Sequence, residues 1–187
     1  MGIKVIRSTL VCPAVSNACR RRWQQLRWPG FTLAMCAASC QLSPMPMLSL
    51  DETASCACGA VSLRIKGPVL SMLVCSCLDC RKSTGTGHSA VVLMSTDSVA
   101  ASGKMKGHTR TAASGAEITR NFCPKCGTPL FAKTARAPLL TLLPVGLFDQ
   151  PDWFSPRQAI FSRTHLDWDT LDEALPRYDT YRDNGGF

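Results

Sequence analysis

Seven of the eleven cysteines in this 187-residue chain lie in three tight groups. Separations of one or two residues are typical of metal ligands, whereas a secreted disulfide scaffold spreads an even number of cysteines through a small domain. Cysteines this close bridge each other only with strain, and an odd number cannot pair fully. The pattern therefore predicts thiolate metal sites in a reducing compartment. The groups are Cys56/Cys58, Cys75/Cys77/Cys80 and Cys123/Cys126.

The last group has the sequence of a zinc knuckle, Cys123-Pro124-Lys125-Cys126-Gly127. Its glycine lets the backbone fold beneath a metal and present amide donors to sulfur. One knuckle supplies half of a tetrahedron, and Cys56-Ala57-Cys58-Gly59 is the best candidate for the other half, because it too is a cysteine pair followed by glycine. Four thiolates complete the coordination shell. We therefore predict a structural zinc that joins the two ends of the domain.

The central group differs, because Cys75, Cys77 and Cys80 are three thiolates on one short loop. Three ligands can bind one zinc and leave its fourth position open, which is what catalysis needs. Such a site carries net negative charge, so the cations of Arg81 and Lys82 are predicted to help hold it and to attract an anionic ligand. The alternative for these two residues is a solvated basic turn.

Four further residues are weaker candidates. His88 could serve as acid, base or alternative ligand, or be an ordinary histidine at the start of a strand. His108 and His165 lack metal-type spacing and are predicted to be structural or exposed. Asp79 is expected to cap or order the central turn by bonding backbone amides rather than to bind zinc, since thiolates outcompete a carboxylate there.

From Asp51 onward the chain contains short β-type runs separated by Gly, Pro and Ser, which predicts a mainly β domain. The run Val61–Ile65 alternates as a half-buried strand should, and Gly67-Pro68 is expected to end it. A brief helix is predicted near the C-terminus, over Leu171–Leu175. Further strands are predicted over Leu70–Val74, Ala90–Met94 and Leu139–Leu143.

The N-terminal region differs in composition from the rest. Residues 1–50 contain six basic residues and no acidic one, so most of the net charge of +8 lies there, and charge gives little support to nucleic-acid binding. No apolar run is long enough for a membrane helix. We predict that residues 1–49 are a disordered or non-native extension, with translation starting near Met45 or Met47, and that residues 50–187 are one zinc domain. A mitochondrial transit peptide is the alternative.

Three ordered motifs carry a resemblance to a known family. The patterns C-x-C-G-x-V, C-x-C-x-x-C-R-K-S-T-G and R-x-F-C-x-x-C-G-T occur at Cys56–Val61, Cys75–Gly85 and Arg120–Thr128. Together they resemble the glutathione-dependent formaldehyde-activating enzyme and centromere protein V family. The resemblance extends over about Leu50–Tyr178, and three ordered groups with their flanking glycines are far more specific than a lone C-x-x-C.

The resemblance implies a zinc-binding β-tent fold of short antiparallel strands with a short C-terminal helix. It implies two zinc ions per chain: a structural one on Cys56, Cys58, Cys123 and Cys126, and a catalytic one on Cys75, Cys77 and Cys80. The implied activity is that of a carbon-sulfur lyase, S-(hydroxymethyl)glutathione synthase, which joins glutathione to formaldehyde. An open zinc position could bind the glutathione thiol as thiolate or polarise the aldehyde oxygen, and Arg81 and Lys82 would contact glutathione.

Other functions compete with this one. Thiols add to aldehydes without a catalyst, so the protein could instead be a glutathione carrier, or a non-catalytic zinc-binding module that binds a partner. The three-cysteine group favours the enzyme, because a binding module needs only closed sites. A dithiol oxidoreductase on Cys123 and Cys126 is disfavoured, since no βαβ pattern surrounds them. The expected partners are a small thiol and an aldehyde, with homo-oligomerisation left open, and the expected location is the cytoplasm, with the mitochondrion as the alternative.

Overall fold

A computed structural model describes residues 47–182. The described residues form ten β-strands and one α-helix, so the prediction of a mainly β fold is confirmed. Three short 3-10 turns follow β3, β8 and β9, at Thr96–Ser98, Val145–Leu147 and Ser162–Thr164. The elements are β1 (Ser49–Ser55), β2 (Ser62–Cys75), α1 (Leu78–Thr84), β3 (Ser89–Ser95), β4 (Val99–Ser102), β5 (Lys106–Thr111), β6 (Glu117–Phe122), β7 (Pro129–Thr134), β8 (Leu140–Pro144), β9 (Ala159–Ile160) and β10 (Arg177–Tyr178).

The strands pair in the order β10-β9-β2-β3-β8-β7-β6-β5, with β1 and β4 attached to β2. The first half of β2 pairs with β1 and β4, and its second half pairs with β3 and β9. All pairings are antiparallel except those that join β9 to β2 and β10 to β9. Strand β2 is therefore the element that links the first cysteine turn to the central cysteine group.

Strand β2 does not end at Gly67-Pro68, which corrects the sequence prediction. Pro68 pairs with Ser49 of β1, and the next amide, that of Val69, donates to the carbonyl of Leu48 at 2.8 Å. Gly67 has φ of 145°, a conformation that favours glycine, and a Cβ there would collide with Ser98. The two residues pair regularly with β1, and β2 changes partner to β3 directly after them, with a register irregularity between Val69 and Ser71.

The large sheet packs a hydrophobic cluster against each face. Alternate residues of β3 point to opposite sides, so that Val92 and Met94 join one cluster while Val91 and Leu93 join the other. The first cluster also contains Cys56 and Cys123 with Leu63, Ile65, Leu130 and Leu143. The second also contains Cys75 with Leu73, Ile160 and Phe161. The two cysteine groups therefore belong to different cores.

The α-helix lies at the central cysteine group and not near the C-terminus, which corrects a second prediction. Residues 171–175 form a turn in which the Asp172 side chain accepts from the Ala174 amide at 2.9 Å and Pro176 follows. Such local side-chain bonds compete with helix formation. Helix α1 instead begins after its N-cap Cys77 and ends at Gly85, whose φ of 72° allows its amide to bond the carbonyl of Arg81.

Within residues 47–182, α1 is too short to cross a membrane, and no other helix is long and apolar enough to do so. The predictions made for residues 1–46, a disordered or non-native extension or a transit peptide, lie outside the described residues and stay predictions.

Candidate metal centres

The two outer cysteine pairs occupy turns with similar hydrogen bonds, although the glycine bond spans three residues in the first turn and four in the second. In the turn between β1 and β2, the Cys56 amide donates to the Val61 carbonyl at 2.9 Å, and the Gly59 amide returns to the Cys56 carbonyl at 2.8 Å. In the turn between β6 and β7, Cys123 bonds the Thr128 carbonyl in the same way. Its glycine, Gly127, returns to the Cys123 carbonyl at 2.9 Å. Both glycines have positive φ, 70° and 76°, as such knuckles require.

These turns bring the sulfur atoms of Cys56, Cys58, Cys123 and Cys126 within 4.8 Å of one another. The Cys58 sulfur lies 3.6 Å from that of Cys56 and 3.7 Å from that of Cys123, one from each turn. Four mutually close thiols fit a tetrahedral zinc with no position left for a substrate. The set has the composition of a closed structural site.

Thr128 links the two turns. Its hydroxyl oxygen accepts from the amide of Ala57 at 3.2 Å and bonds the sulfur of Cys126 at 3.1 Å. Hydrogen bonds from the Thr128 side chain and backbone lower the pKa of Cys126 to about 5. The amide of Val61 likewise donates to the Cys56 sulfur at 3.3 Å. Such donors stabilise thiolates, which are the form that binds zinc.

The central group is assembled by the end of β2 and the start of α1. Cys75 is the last residue of β2, Cys77 is the N-cap of α1, and Cys80 lies in the first turn of the helix. The sulfur of Cys77 accepts from the Cys80 amide at 3.4 Å, as an N-cap side chain does. The three sulfur atoms lie within 4.8 Å of one another. The described chain thus gathers three thiol ligands here and four at the other site.

Without a bound metal, the three thiols of the central group differ in pKa. Hydrogen bonds from Cys75 and Cys80 lower the pKa of Cys77 to about 2. Hydrogen bonds with Cys77 and Cys80, together with burial, raise the pKa of Cys75. A hydrogen bond with Cys75 lowers the pKa of Cys80, but the bond to Cys77, burial and the negative charge of Cys77 together outweigh it and raise that pKa to about 11. A metal that binds all three thiolates must therefore displace protons.

Two arginines from neighbouring strands approach this group. The Arg120 guanidinium on β6 lies 3.8 Å from the sulfur of Cys80. Arg110 on β5 forms an ion pair of 2.6 Å with Asp79, within α1. The Asp79 carboxylate therefore bonds an arginine side chain rather than the backbone amides expected from the sequence, and it is not among the clustered ligands. Arg120 belongs to the third sequence motif, but its contact with Cys80 could not be predicted, because nothing in the sequence shows that β6 lies beside α1.

Arg81 and Lys82 line neither of the cavities beside the cysteines. Lys82 is exposed, and the Nε atom of Arg81 is buried with no hydrogen-bond partner among residues 47–182. Their contact with glutathione stays a prediction.

Two cavities adjoin the central group. The larger, of about 510 Å³, is bounded by α1, β3 and strands β5 to β8, and Cys80 and Arg120 lie on its wall. His108, which pairs with Arg120 across the two strands, also lines it and is exposed, as predicted. The smaller, of about 80 Å³, is lined by all three cysteines and by Phe161 and Tyr181. Cys80 and Arg120 border both spaces.

The other two histidines meet at one carboxylate. His88 Nδ1 lies 2.8 Å from Asp169 Oδ2, and His165 Nδ1 lies 3.7 Å from the same oxygen. Neither histidine belongs to a group of clustered metal-type ligands among the described residues. Asp169 was not singled out from the sequence, because it is 81 residues away from His88.

A family model described as glutathione-dependent formaldehyde-activating enzyme matches residues 51–164. The chain belongs to this family. The matched residues contain all seven clustered cysteines, so both thiol groups lie within the glutathione-dependent formaldehyde-activating domain. Among solved structures, the crystal structure of a Rhodobacter sphaeroides protein, a structural genomics target, is similar over 56% of this chain and 97% of that chain, with 15% identity and a TM-score of 0.45. A comparison with curated proteins finds no match.

Proposed function

We propose that this chain is a zinc-dependent carbon-sulfur lyase of the S-(hydroxymethyl)glutathione synthase type. It would join glutathione to formaldehyde, or act on a related thiol-aldehyde pair. The observation that supports this proposal best is the incomplete set of three thiol ligands beside a cavity of about 510 Å³. The proposal also rests on membership of the family.

Two zinc ions fit the donor sets. Cys56, Cys58, Cys123 and Cys126 would hold a structural ion, and Cys75, Cys77 and Cys80 would hold the catalytic one. Zinc at the three-thiol site would supply Lewis acidity, either to a thiol or to an aldehyde oxygen. Arg120 would offset the negative charge that three thiolates accumulate, because its guanidinium lies 3.8 Å from the Cys80 sulfur.

The large cavity suits a small anionic peptide. Lys106 and His108 on β5 and Arg120 on β6 place basic groups on one wall, where they can bind carboxylates. Apolar side chains of Val91, Phe131 and Leu142 line other parts of it. Glutathione has two carboxylates and a short body, and its thiol would have to reach Cys80.

The proposed reaction needs no further reactant. A carbon-sulfur bond forms between the thiol sulfur and the aldehyde carbon while the carbonyl π bond breaks. The proton leaves sulfur, and the new hydroxyl oxygen gains one. The chain's contribution is to hold the two reactants together and to stabilise charge near Cys80 and Arg120.

Thiolate ligands persist in reducing compartments, so we place the protein in the cytoplasm, with the mitochondrion as the alternative. Its proposed partners are a small-molecule thiol and an aldehyde.

The first test is to measure zinc content by elemental analysis and glutathione binding by calorimetry, on the wild-type chain and on Cys77→Ser. Serine keeps the N-cap of α1, so the variant should stay folded while it loses a thiolate. We expect two zinc ions and a glutathione signal in the wild type, and loss of one ion and of the signal in Cys77→Ser. S-methylglutathione, whose sulfur is blocked, is the matched control ligand and should bind more weakly.

Catalysis is then separated from carriage by the rate of exchange between formaldehyde and its glutathione adduct, measured by NMR. An enzyme accelerates the exchange at catalytic concentration, whereas a carrier binds glutathione and leaves the rate unchanged. One zinc ion and no glutathione binding in the wild-type chain would refute the proposal and favour a closed zinc-binding module.

A further inference from the structure

Ser76 lies between two cysteines of the central group and has every polar group bonded to the C-terminal segment. The residue is 1% exposed. Its amide donates to the Ile160 carbonyl at 3.1 Å, and its carbonyl accepts from the Thr164 hydroxyl at 3.0 Å. Its side-chain oxygen pairs with His165 Nδ1 at 3.4 Å. Two of these bonds use the Ser76 backbone and one uses its side chain, so the C-terminal segment holds both the peptide group and the hydroxyl of this residue.

The ring nitrogen of His165 that faces Ser76 also faces the carboxylate of Asp169. Asp169 is 8% exposed, and its Oδ2 atom lies 3.7 Å from His165 Nδ1. The same carboxylate bonds His88 Nδ1 at 2.8 Å and 3.0 Å through its two oxygens. His88 directly precedes β3, the strand that pairs with the end of β2. The carboxylate therefore connects the C-terminal segment to the sheet beside the cysteines.

The backbone at Gly87 is shaped to admit Asp169. A Cβ atom at position 87 would overlap the Asp169 carboxylate and its Cβ. The residue before His88 must therefore be glycine if Asp169 is to keep its place. This requirement comes only from the close approach of the Gly87 backbone to the Asp169 side chain, and it is independent of the hydrogen bonds between Asp169 and His88.

The geometry of extended backbone explains why fixing Ser76 matters. In extended chain, side chains i and i+2 point to one side and side chain i+1 to the other. Cys75 ends a strand, and Cys77 has extended φ and ψ of −63° and 152°. With the Ser76 side chain held by His165 on one side, the sulfurs of Cys75 and Cys77 are directed to the other. Ser76 thus orients two of the three ligands.

We propose that Thr164, His165, Asp169 and His88 form a clamp on Ser76 that positions Cys75 and Cys77 for metal binding. The clamp rests on the proposed function, since it presumes that the three thiols bind zinc. His165 and Asp169 lie beyond the residues 51–164 that the family model matches. The C-terminal segment is thereby assigned a role at the metal site rather than in packing alone.

The test measures the zinc affinity of both sites by chelator competition in the full chain. The four-cysteine site serves as an internal control. Because Cys77→Ser should lose only the central zinc ion, the affinity that disappears in this variant is assigned to the central site. The variants are His165→Ala, His165→Asn, Ser76→Ala and the Ser76→Ala/His165→Ala pair. Asp167→Asn, an exposed carboxylate in the same segment, is the matched control. Cobalt substitution adds a spectroscopic measure of thiolate geometry at the central site.

Residues that orient metal ligands typically contribute 10- to 100-fold to metal affinity. We expect His165→Ala and Ser76→Ala each to weaken the central site by about 10-fold or more, with the other site unchanged. The double variant should be no weaker than either single one, because both remove the same contact. His165→Asn, which can still bond Ser76, should restore most of the affinity, and Asp167→Asn should change nothing.

The clamp would be overturned if His165→Ala and Ser76→Ala kept the wild-type zinc affinity and cobalt spectrum at the central site. That result would leave the proposed function intact. Equal weakening of both sites would also overturn it, because that result indicates general destabilisation. A wild-type chain that holds zinc only on its four-cysteine site would refute the proposed function, and the clamp with it, before any clamp variant is measured.

Discussion

The two thiol groups of this protein are built from opposite kinds of structure. The four-cysteine group joins two separate turns with similar hydrogen bonds, so its ligands come from positions far apart in the sequence. The three-cysteine group comes from six consecutive residues at a strand-to-helix junction and borders a cavity. A metal on the first group would hold distant parts of the chain together. A metal on the second would be held by a structure that other contacts maintain.

The largest expected difference between the groups is in folding. Cys123→Ser should abolish cooperative folding, because Cys123 is fully buried and a structural zinc contributes on the order of 10 kcal/mol, comparable with the stability of a whole domain. Thermal unfolding followed by circular dichroism measures this effect. Cys77→Ser is the matched variant and should unfold within a few degrees of wild type. Equal destabilisation by both changes would remove the distinction between structural and catalytic sites.

The next prediction concerns which basic side chain beside the three-cysteine group contributes most to glutathione binding. Arg120→Met should weaken glutathione binding about 10-fold or more, because hydrogen bonds to charged groups contribute about 1.5–3 kcal/mol. Lys82→Met tests the contact predicted from the sequence, and we expect a smaller change, since Lys82 is exposed and lines neither cavity. Calorimetric titration with glutathione measures both variants.

Lys133→Met is the matched control, since Lys133 is an exposed cation on β7 outside the cavity lining. A loss of binding in Lys82→Met that exceeds the loss in Arg120→Met would transfer the anion-binding role to the turn after the cysteines.

A smaller effect is expected from the approach of Gly87 to Asp169. Gly87→Ala should displace the Asp169 carboxylate, because the added methyl group would overlap it. We expect a several-fold loss of zinc affinity at the central site, below that of a ligand substitution, and no loss at the four-cysteine site. Gly115→Ala is the control for adding a methyl group, because open space surrounds Gly115 and any cost there comes from backbone strain alone. Unchanged central affinity in Gly87→Ala would show that Asp169 does not act on the thiols.

Sequence reasoning found what is encoded locally and missed what the topology creates. Cysteine spacing and the flanking glycines identified both thiol groups, since each turn is defined within six residues. Arg120 reaches Cys80 from 40 residues away, and His165 reaches Ser76 from 89 residues away, so no local pattern could reveal either contact. The end predicted for β2 was wrong because Gly67 and Pro68 pair regularly with β1 and the strand then continues by pairing with β3. The C-terminal helix was wrong because Asp172 favours a turn.

The smallest predicted effect tests whether the two turns of the four-cysteine group act as one unit. Thr128→Val keeps the side-chain shape but removes the hydroxyl that bonds both Ala57 and Cys126. The free energy of unfolding should fall by about 1 kcal/mol, the usual net contribution of such a bond, as measured by urea titration. Thr109→Val removes the exposed hydrogen bond between Thr109 on β5 and Thr119 on β6, and it should lower the free energy of unfolding by less. Zinc affinity at the central site should not change in Thr128→Val, because Thr128 belongs to the other group; a parallel loss there would mean that the two sites are coupled through the sheet.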